Sequence, residues 1–278
     1  MVKMKQLFAL LTALVLALPA AAQQQKTIKD PAEYKAYMAA YEQKDASKRA
    51  EAMQAFAAKY PQSVVRLDAL EQAMAGYQQA NNRDKLASVS AEVLKAEPDN
   101  LRALAIQVYL LRGRATADDT AALSELKKQS EHGLSLLANW HKPQGMSDAD
   151  FGRLKAQIGA ILQGAAGFVA LQAKDYAAAR QHYLEAVAAD ANDLQNVYQL
   201  SIACLEEKPP QPDGFWYVAR AIALSEKNTN ASVQESIKQY AVAKYRIYHG
   251  SEDGWNELLA EAAKSPAKPA DFMVKPAP

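Results

Sequence analysis

A single cysteine, Cys204, stands among 278 residues, so no intrachain disulfide can form. Secreted domains that rely on disulfides carry an even set, and a chain of this length can stabilise itself by apolar burial alone. Cys204 shares an apolar helical stretch with Leu200 and Ile202 and reads as a small buried hydrophobe. One cysteine also excludes a cysteine-rich zinc site. An excess of charge of one sign is lacking too: the formal net charge is +1, and the densest basic run is Arg112-Gly113-Arg114. Such a chain offers no electrostatic case for nucleic acid or for an anionic membrane surface. Histidine is scarce, and His132, His141, His182 and His249 include no pair with HExxH spacing. Alternating apolar and polar runs with β-branched bias are absent, so no sheet is indicated.

The N-terminus carries a different signal. Lys3 and Lys5 precede an apolar run from Leu7 to Leu18, followed by Pro19 and the small residues Ala20-Ala21-Ala22. This is the pattern of a secretory signal peptide, with cleavage expected near Ala22. The run is shorter than the roughly 20 residues a membrane span requires, and Gln23, not a cysteine, would follow the cut, which argues against a lipid anchor. Loss of residues 1–22 removes two lysines and no acid, leaving a formal charge of −1. A periplasmic or secreted protein without a stable membrane anchor is expected.

What remains is rich in Ala, Leu, Gln, Lys and Glu, the residues that lose least entropy in a helix. Pro31 opens the first periodic segment, with Tyr34, Tyr37, Met38 and Tyr41 at helical spacing. Residues 46–60 carry Ala50, Met53, Phe56 and Ala57, and end at Tyr60-Pro61. A third stripe holds Val64, Leu67, Leu70, Met74 and Tyr77; a fourth runs from Leu86 to Leu94 and stops at Glu97-Pro98. Leu101, Leu104, Ala105, Val108 and Leu111 form a fifth. Thr116 with Asp119, and Ser147 with Asp150, resemble capping boxes that open two further helices. The second of these is expected to run to about Gln172.

Internal periods sharpen this reading. Between Ala160 and Asp193 lie Gly167, the turn Lys174-Asp175-Tyr176, then Ala179, Tyr183 and Ala186, closing with Asp190-Ala191-Asn192-Asp193. A second copy holds Tyr77, the turn Asn81-Asn82-Arg83-Asp84, Leu86 and Val93, and ends at Ala96-Glu97-Pro98-Asp99-Asn100. An earlier copy closes at Phe56 to Pro61, and a later one starts at Leu194 and resumes at Phe215-Trp216-Tyr217 with Ala219. The arrangement resembles the tetratricopeptide repeat family. Small residues stand where that motif brings helices close, and Tyr183 stands where it places a large aromatic; Gln163 and Ala191 depart from its usual tryptophan and proline. The resemblance implies an all-α fold of helical hairpins stacked into a right-handed superhelix, an α-solenoid. The expected segments are a signal peptide (1–22), N-terminal repeats (23–114), central helices and repeats (115–227), capping helices (228–263) and a flexible tail (264–278).

Scanned for chemistry, the chain offers little. His182 and Glu185 have the spacing of half a metal site, but no second pair exists. Asp148, Asp150 and Gly152 fail as a calcium loop, since Gly159 stands where a glutamate is required. Ser124 and Lys127 have a serine–lysine spacing without its accompanying motifs. No catalytic residue, cofactor site or metal site is indicated, and the chain is expected not to be an enzyme. The resemblance instead implies a concave groove lined by the first helix of each repeat. In this register the lining includes Asp68, Glu71, Gln78, Arg102, Tyr109 and Arg112, then Phe168, Gln172, Gln195 and Tyr198. Such mixed aromatic and polar groups suit an extended peptide or a partner helix. A scaffold or adaptor for a protein partner is therefore expected; a carrier or enzyme for a small cell-envelope ligand, or a self-associating spacer, is the alternative. Trp140 is expected to cover its own helix end.

Overall fold

The computed structural model describes residues 26–143, 145–228 and 231–277. The expected signal peptide lies outside them. The described residues form twelve α-helices and no strand: α1 Pro31–Tyr41, α2 Ala46–Lys59, α3 Arg66–Gln79, α4 Arg83–Ala96, α5 Leu101–Arg112, α6 Thr120–Ala138, α7 Asp148–Gln172, α8 Tyr176–Ala189, α9 Leu194–Glu206, α10 Asp213–Asn228, α11 Ala231–His249 and α12 Trp255–Lys264. The all-α expectation is met.

Short polar residues set most of the starts. Asp30, Asp45, Asn82, Asn100, Asp175 and Asp193 each accept a backbone N–H from the first turn of the helix they precede. Each such cap stabilises its helix by about 1 kcal/mol. Ser147 opens α7 as expected, its Oγ accepting from the Asp150 amide at 3.1 Å and donating to the Asp150 carboxylate at 2.7 Å. At α6 the expectation needs correcting. The cap is Asp119, whose Oδ1 accepts from the Ala122 amide at 2.9 Å, and Thr116 lies a few residues ahead of the helix. A carboxylate competes better than a hydroxyl for a first-turn N–H.

Two kinds of turn recur. Asn81 and Lys174 both adopt left-handed backbone, with φ of 53° and 59°. After each, the same bonds close the helix: Asn81 N to Gln78 O and Asn82 N to Tyr77 O in one case, Lys174 N to Leu171 O and Asp175 N to Ala170 O in the other. This is the Schellman arrangement, and in both cases the next residue caps the following helix. The second kind ends α4 and α8. Glu97 and Asp190 leave the helix with φ/ψ of −138°/87° and −145°/94°, and three residues later Asn100 and Asp193 donate back to their carbonyls and cap α5 and α9. Tyr60 and Ser63 make the same backbone bond after α2. Buried positions follow the same register. Leu86, Ser90 and Val93 on α4 match Ala179, Tyr183 and Ala186 on α8, all essentially inaccessible.

The chain divides into two compact units, one holding the residues up to Ala115 with His132–Ile158, the other Thr116–Glu131 with Gly159 onward. In the first, α1 to α4 each pack on the next helix in sequence. Met53, Phe56, Leu70, Met74, Tyr77, Leu86 and Val89 form its core. Helix α3 closes on α2 through Gly76, where an added Cβ would lie 2.8 Å from both the Ala46 carbonyl oxygen and the Ala50 Cβ. In the second unit α8, α9 and α10 pack in sequence, and α10 also carries α11 and α12. Its larger core surrounds Phe215, Trp216, Tyr245 and Trp255. Gly167 of α7 meets the flat of the Tyr183 ring, 3.0 Å from where a Cβ would stand.

Helix α7 is long and apolar enough, by length and composition, to cross a membrane. Its apolar residues Leu154, Ile158, Leu162 and Ala165 are buried within the protein, as in the core helix of a globular fold. The C-terminal segment differs from the expected flexible tail. Val274 is buried, Phe272 meets Trp216, and the Ala277 amide donates to the Tyr248 carbonyl at 2.7 Å. Its few apolar side chains find a ready surface on α10 and α11.

Candidate functional site

Helices α3 and α5 supply the first group of expected lining residues. Asp68, Glu71 and Gln78 follow one another at helical spacing on α3, as do Arg102, Tyr109 and Arg112 on α5. Lys26 reaches both Asp68 oxygens at 2.9 Å. Glu71 Oε1 accepts from Asn100 Nδ2 at 2.8 Å, so the residue that caps α5 is itself held by α3. Beside it, Gln72 Nε2 donates to the Tyr37 hydroxyl of α1 at 3.0 Å.

Two of these side chains are buried without the bonds their chemistry calls for. Gln78 is 2% exposed, and neither its amide oxygen nor its amide nitrogen has a partner among the described residues. Arg102 is half-buried as a residue, but its Nη2 is sealed off and also makes no hydrogen bond. Desolvation holds the Arg102 guanidinium below the ordinary arginine value, with Glu71 acting in the opposite direction. Buried polar atoms are almost always paired, and hydrogen bonds to a charged group are worth about 1.5–3 kcal/mol. Tyr109 and Arg112 are half-buried on the same helix.

The remaining expected residues belong to the second unit. Phe168 and Gln172 are half-buried on α7, and Gln195 is exposed on α9. Tyr198 meets Tyr240 edge to face at 6.2 Å, and burial raises its phenol above the usual value. Tyr240 donates to Glu206 Oε1 at 3.1 Å, and Lys244 holds the same oxygen at 2.8 Å. Burial, then the Glu206 charge, pushes the Tyr240 phenol well up. This aromatic and charged group on α9 and α11 was not legible beforehand, because Tyr240 and Lys244 are far from Tyr198 in sequence. Trp140, expected to cover the end of its own helix, packs on Phe151 near the start of the next helix, α7, with ring centroids 5.1 Å apart.

Titratable groups elsewhere have packing roles. His182 Nδ1 lies 2.7 Å from Gln163 Oε1, and burial lowers its pKa, which favours the neutral ring. Among the described residues no three His, Cys, Asp or Glu side chains gather as metal ligands. Burial pushes the Cys204 thiol up to about 12, against a smaller lowering by Arg180, which is itself bonded to Glu207 at 2.8 Å. A thiolate is the reactive form. Cys204 is therefore expected to resist a disulfide reagent such as DTNB in the native chain and to react fully in denaturant; rapid native labelling would contradict its buried placement.

One open cleft of about 360 Å³ lies between residues 27–33 and 62–64, edged by Ile28, Val64, Asp30 and Glu33. It contains none of the expected site residues. No protein-family model matches this chain, and no curated protein is significantly similar to it in sequence.

Proposed function

We propose that this chain is an exported, non-catalytic helical-repeat protein of the tetratricopeptide kind that holds a protein partner along α3 and α5. The repeat reading is supported by the paired turns, since Asn81/Asn82 with Glu97/Asn100 and Lys174/Asp175 with Asp190/Asp193 repeat the same bonds at the same spacing. Export rests on the leader-like residues 1–22.

The observation that carries the binding reading is the run of half-buried side chains Arg102, Tyr109 and Arg112 on α5, joined through the Asn100–Glu71 bond to Asp68 and Glu71 on α3. An extended peptide presents a carbonyl and an N–H at every residue, the complement of a guanidinium and a carboxylate. Repeat proteins bind on extended faces of this type.

The test is crosslinking of the tagged mature protein in its own cells, read by mass spectrometry, with Tyr109→Ala and Arg102→Gln variants alongside. Reversal to Arg102→Glu is unsuitable, because it would bury a second acid beside Glu71. Loss of one charge-assisted bond costs about 1.5–3 kcal/mol, so recovery of the partner is expected to fall roughly tenfold or more. Undiminished recovery from both folded variants would sink the assignment of this stripe.

A further inference from the structure

From Ser265 to Ala277 the described residues form no helix or strand, yet they lie docked like a peptide ligand on the second unit. Ser265 Oγ accepts from the Ala267 amide and turns the chain back. Lys268 Nζ then pairs with Asp213 Oδ1 at the start of α10, 3.4 Å away. Phe272 meets the Trp216 ring edge to face at 5.6 Å, Val274 is buried, and Met273 between them is 68% exposed. Alternate side chains in and out are the signature of an extended segment read by a surface. Main-chain bonds fix its far end. His249 Nδ1 donates to the Lys275 carbonyl at 2.9 Å, and the Ala277 amide donates to the Tyr248 carbonyl at 2.7 Å. Gly250, with φ of +88°, lets Ala277 approach; a Cβ there would lie 3.2 Å from that of Ala277 and would need a strained backbone.

One feature marks the strap as an imperfect occupant. Trp216 is fully buried and its indole N–H has no acceptor among the described residues. Phe272 covers the ring but, being a hydrocarbon, cannot supply one.

We propose that the surface formed by α10 and the end of α11 is a peptide-recognition site, occupied in cis by residues 268–277. Its partner ligand is an extended segment with an aromatic–x–aliphatic pair, a free backbone carbonyl just after it for His249, and a hydroxyl or carbonyl acceptor beside the aromatic to meet Trp216. The strap is a competitor that such a segment displaces. This site shares no residue with the stripe on α3 and α5, so either can fail while the other stands.

The experiment uses the full chain. Phe272→Ala with Val274→Ala removes the two anchors and frees the site; the probe is a fluorescein-labelled peptide of residues 265–278, followed by anisotropy and by Trp emission. A tethered segment competes at millimolar effective concentration, so the variant is expected to bind the probe at least about tenfold more tightly than the wild type. A probe with both anchors replaced by alanine should bind neither. A folded variant that ignores the probe, or that binds both probes alike, overturns the proposal. If the variant loses its helical spectrum, hydrogen exchange on the wild-type chain decides. Exchange of the Ala277 amide ahead of the helices supports a displaceable strap, and exchange only with global unfolding overturns it.

Discussion

Replacing Tyr183 with serine is expected to destabilise the second unit by about 3–5 kcal/mol, the range for emptying an aromatic ring from a core. The ring is fully buried and lies against Gly167, with its nearest atoms 3.0 Å from where a glycine Cβ would be. The register between the two repeats makes the prediction sharper. Where the later copy has Gly167 and Tyr183, the earlier copy has Met74 and Ser90, all four buried. The large and small members have changed places between the helices. Gly167→Met alone should therefore cost about 1–3 kcal/mol by overpacking against the ring. Combined with Tyr183→Ser it should cost less than the sum of the two, with a coupling of about 1 kcal/mol or more. Urea midpoints of the two singles and the double provide the measurement. Strict additivity would show that the two positions do not share one space.

Glycine-to-alanine changes at two helical sites are expected to move stability in opposite directions. Gly152, in the first turns of α7, has nothing within 4 Å of an added Cβ. Alanine there gains helix propensity at no steric cost, so Gly152→Ala should stabilise by about 0.5–1 kcal/mol. At Gly76 the same methyl would lie 2.8 Å from a backbone carbonyl oxygen and from the Ala50 Cβ. Neither can swing away as a long side chain can, so α2 and α3 must separate. The propensity gain of about 1 kcal/mol is outweighed by a packing cost that reaches about 3 kcal/mol in well-filled cores. Gly76→Val, which adds two more carbons, should unfold the first unit well below the wild-type midpoint. Thermal melts of the three variants test the pair of signs; a stabilised Gly76→Ala would refute the close approach of α2 and α3.

Much of the candidate site could be placed from sequence, but its energetics could not. Helical spacing sets Asp68, Glu71 and Gln78 on one face of α3, and Arg102, Tyr109 and Arg112 on one face of α5. That Glu71 holds the Asn100 cap, and that Gln78 and Arg102 lose solvent without gaining partners, depends on how α3 and α5 are packed. In the second unit the same reasoning found Tyr198 but missed Glu206 farther along α9, and Tyr240 and Lys244, which reach them only through the docking of α11.

The division follows the range of the interactions. Helix class, most helix starts and the two recurring turns were set by sequence alone, because caps, left-handed closing residues and apolar periodicity act within a few positions. Pro31, Asn82, Asn100, Asp175 and Asp193 do their work on neighbours three residues away or fewer. Even the misplaced cap at Thr116 was displaced by only three residues, to Asp119, by a competing local donor–acceptor pair. Tertiary structure alone decided the rest. The approach of Gly76 to Ala46, the burial of Gln78, the division into two units and the docking of the 268–277 strap onto Trp216 and Tyr248 all join residues far apart in the chain. A segment with four prolines and three apolar side chains reads as a free tail until a surface exists for Phe272 and Val274 to meet. Burial is a property of both partners, and only the fold brings the second one into place.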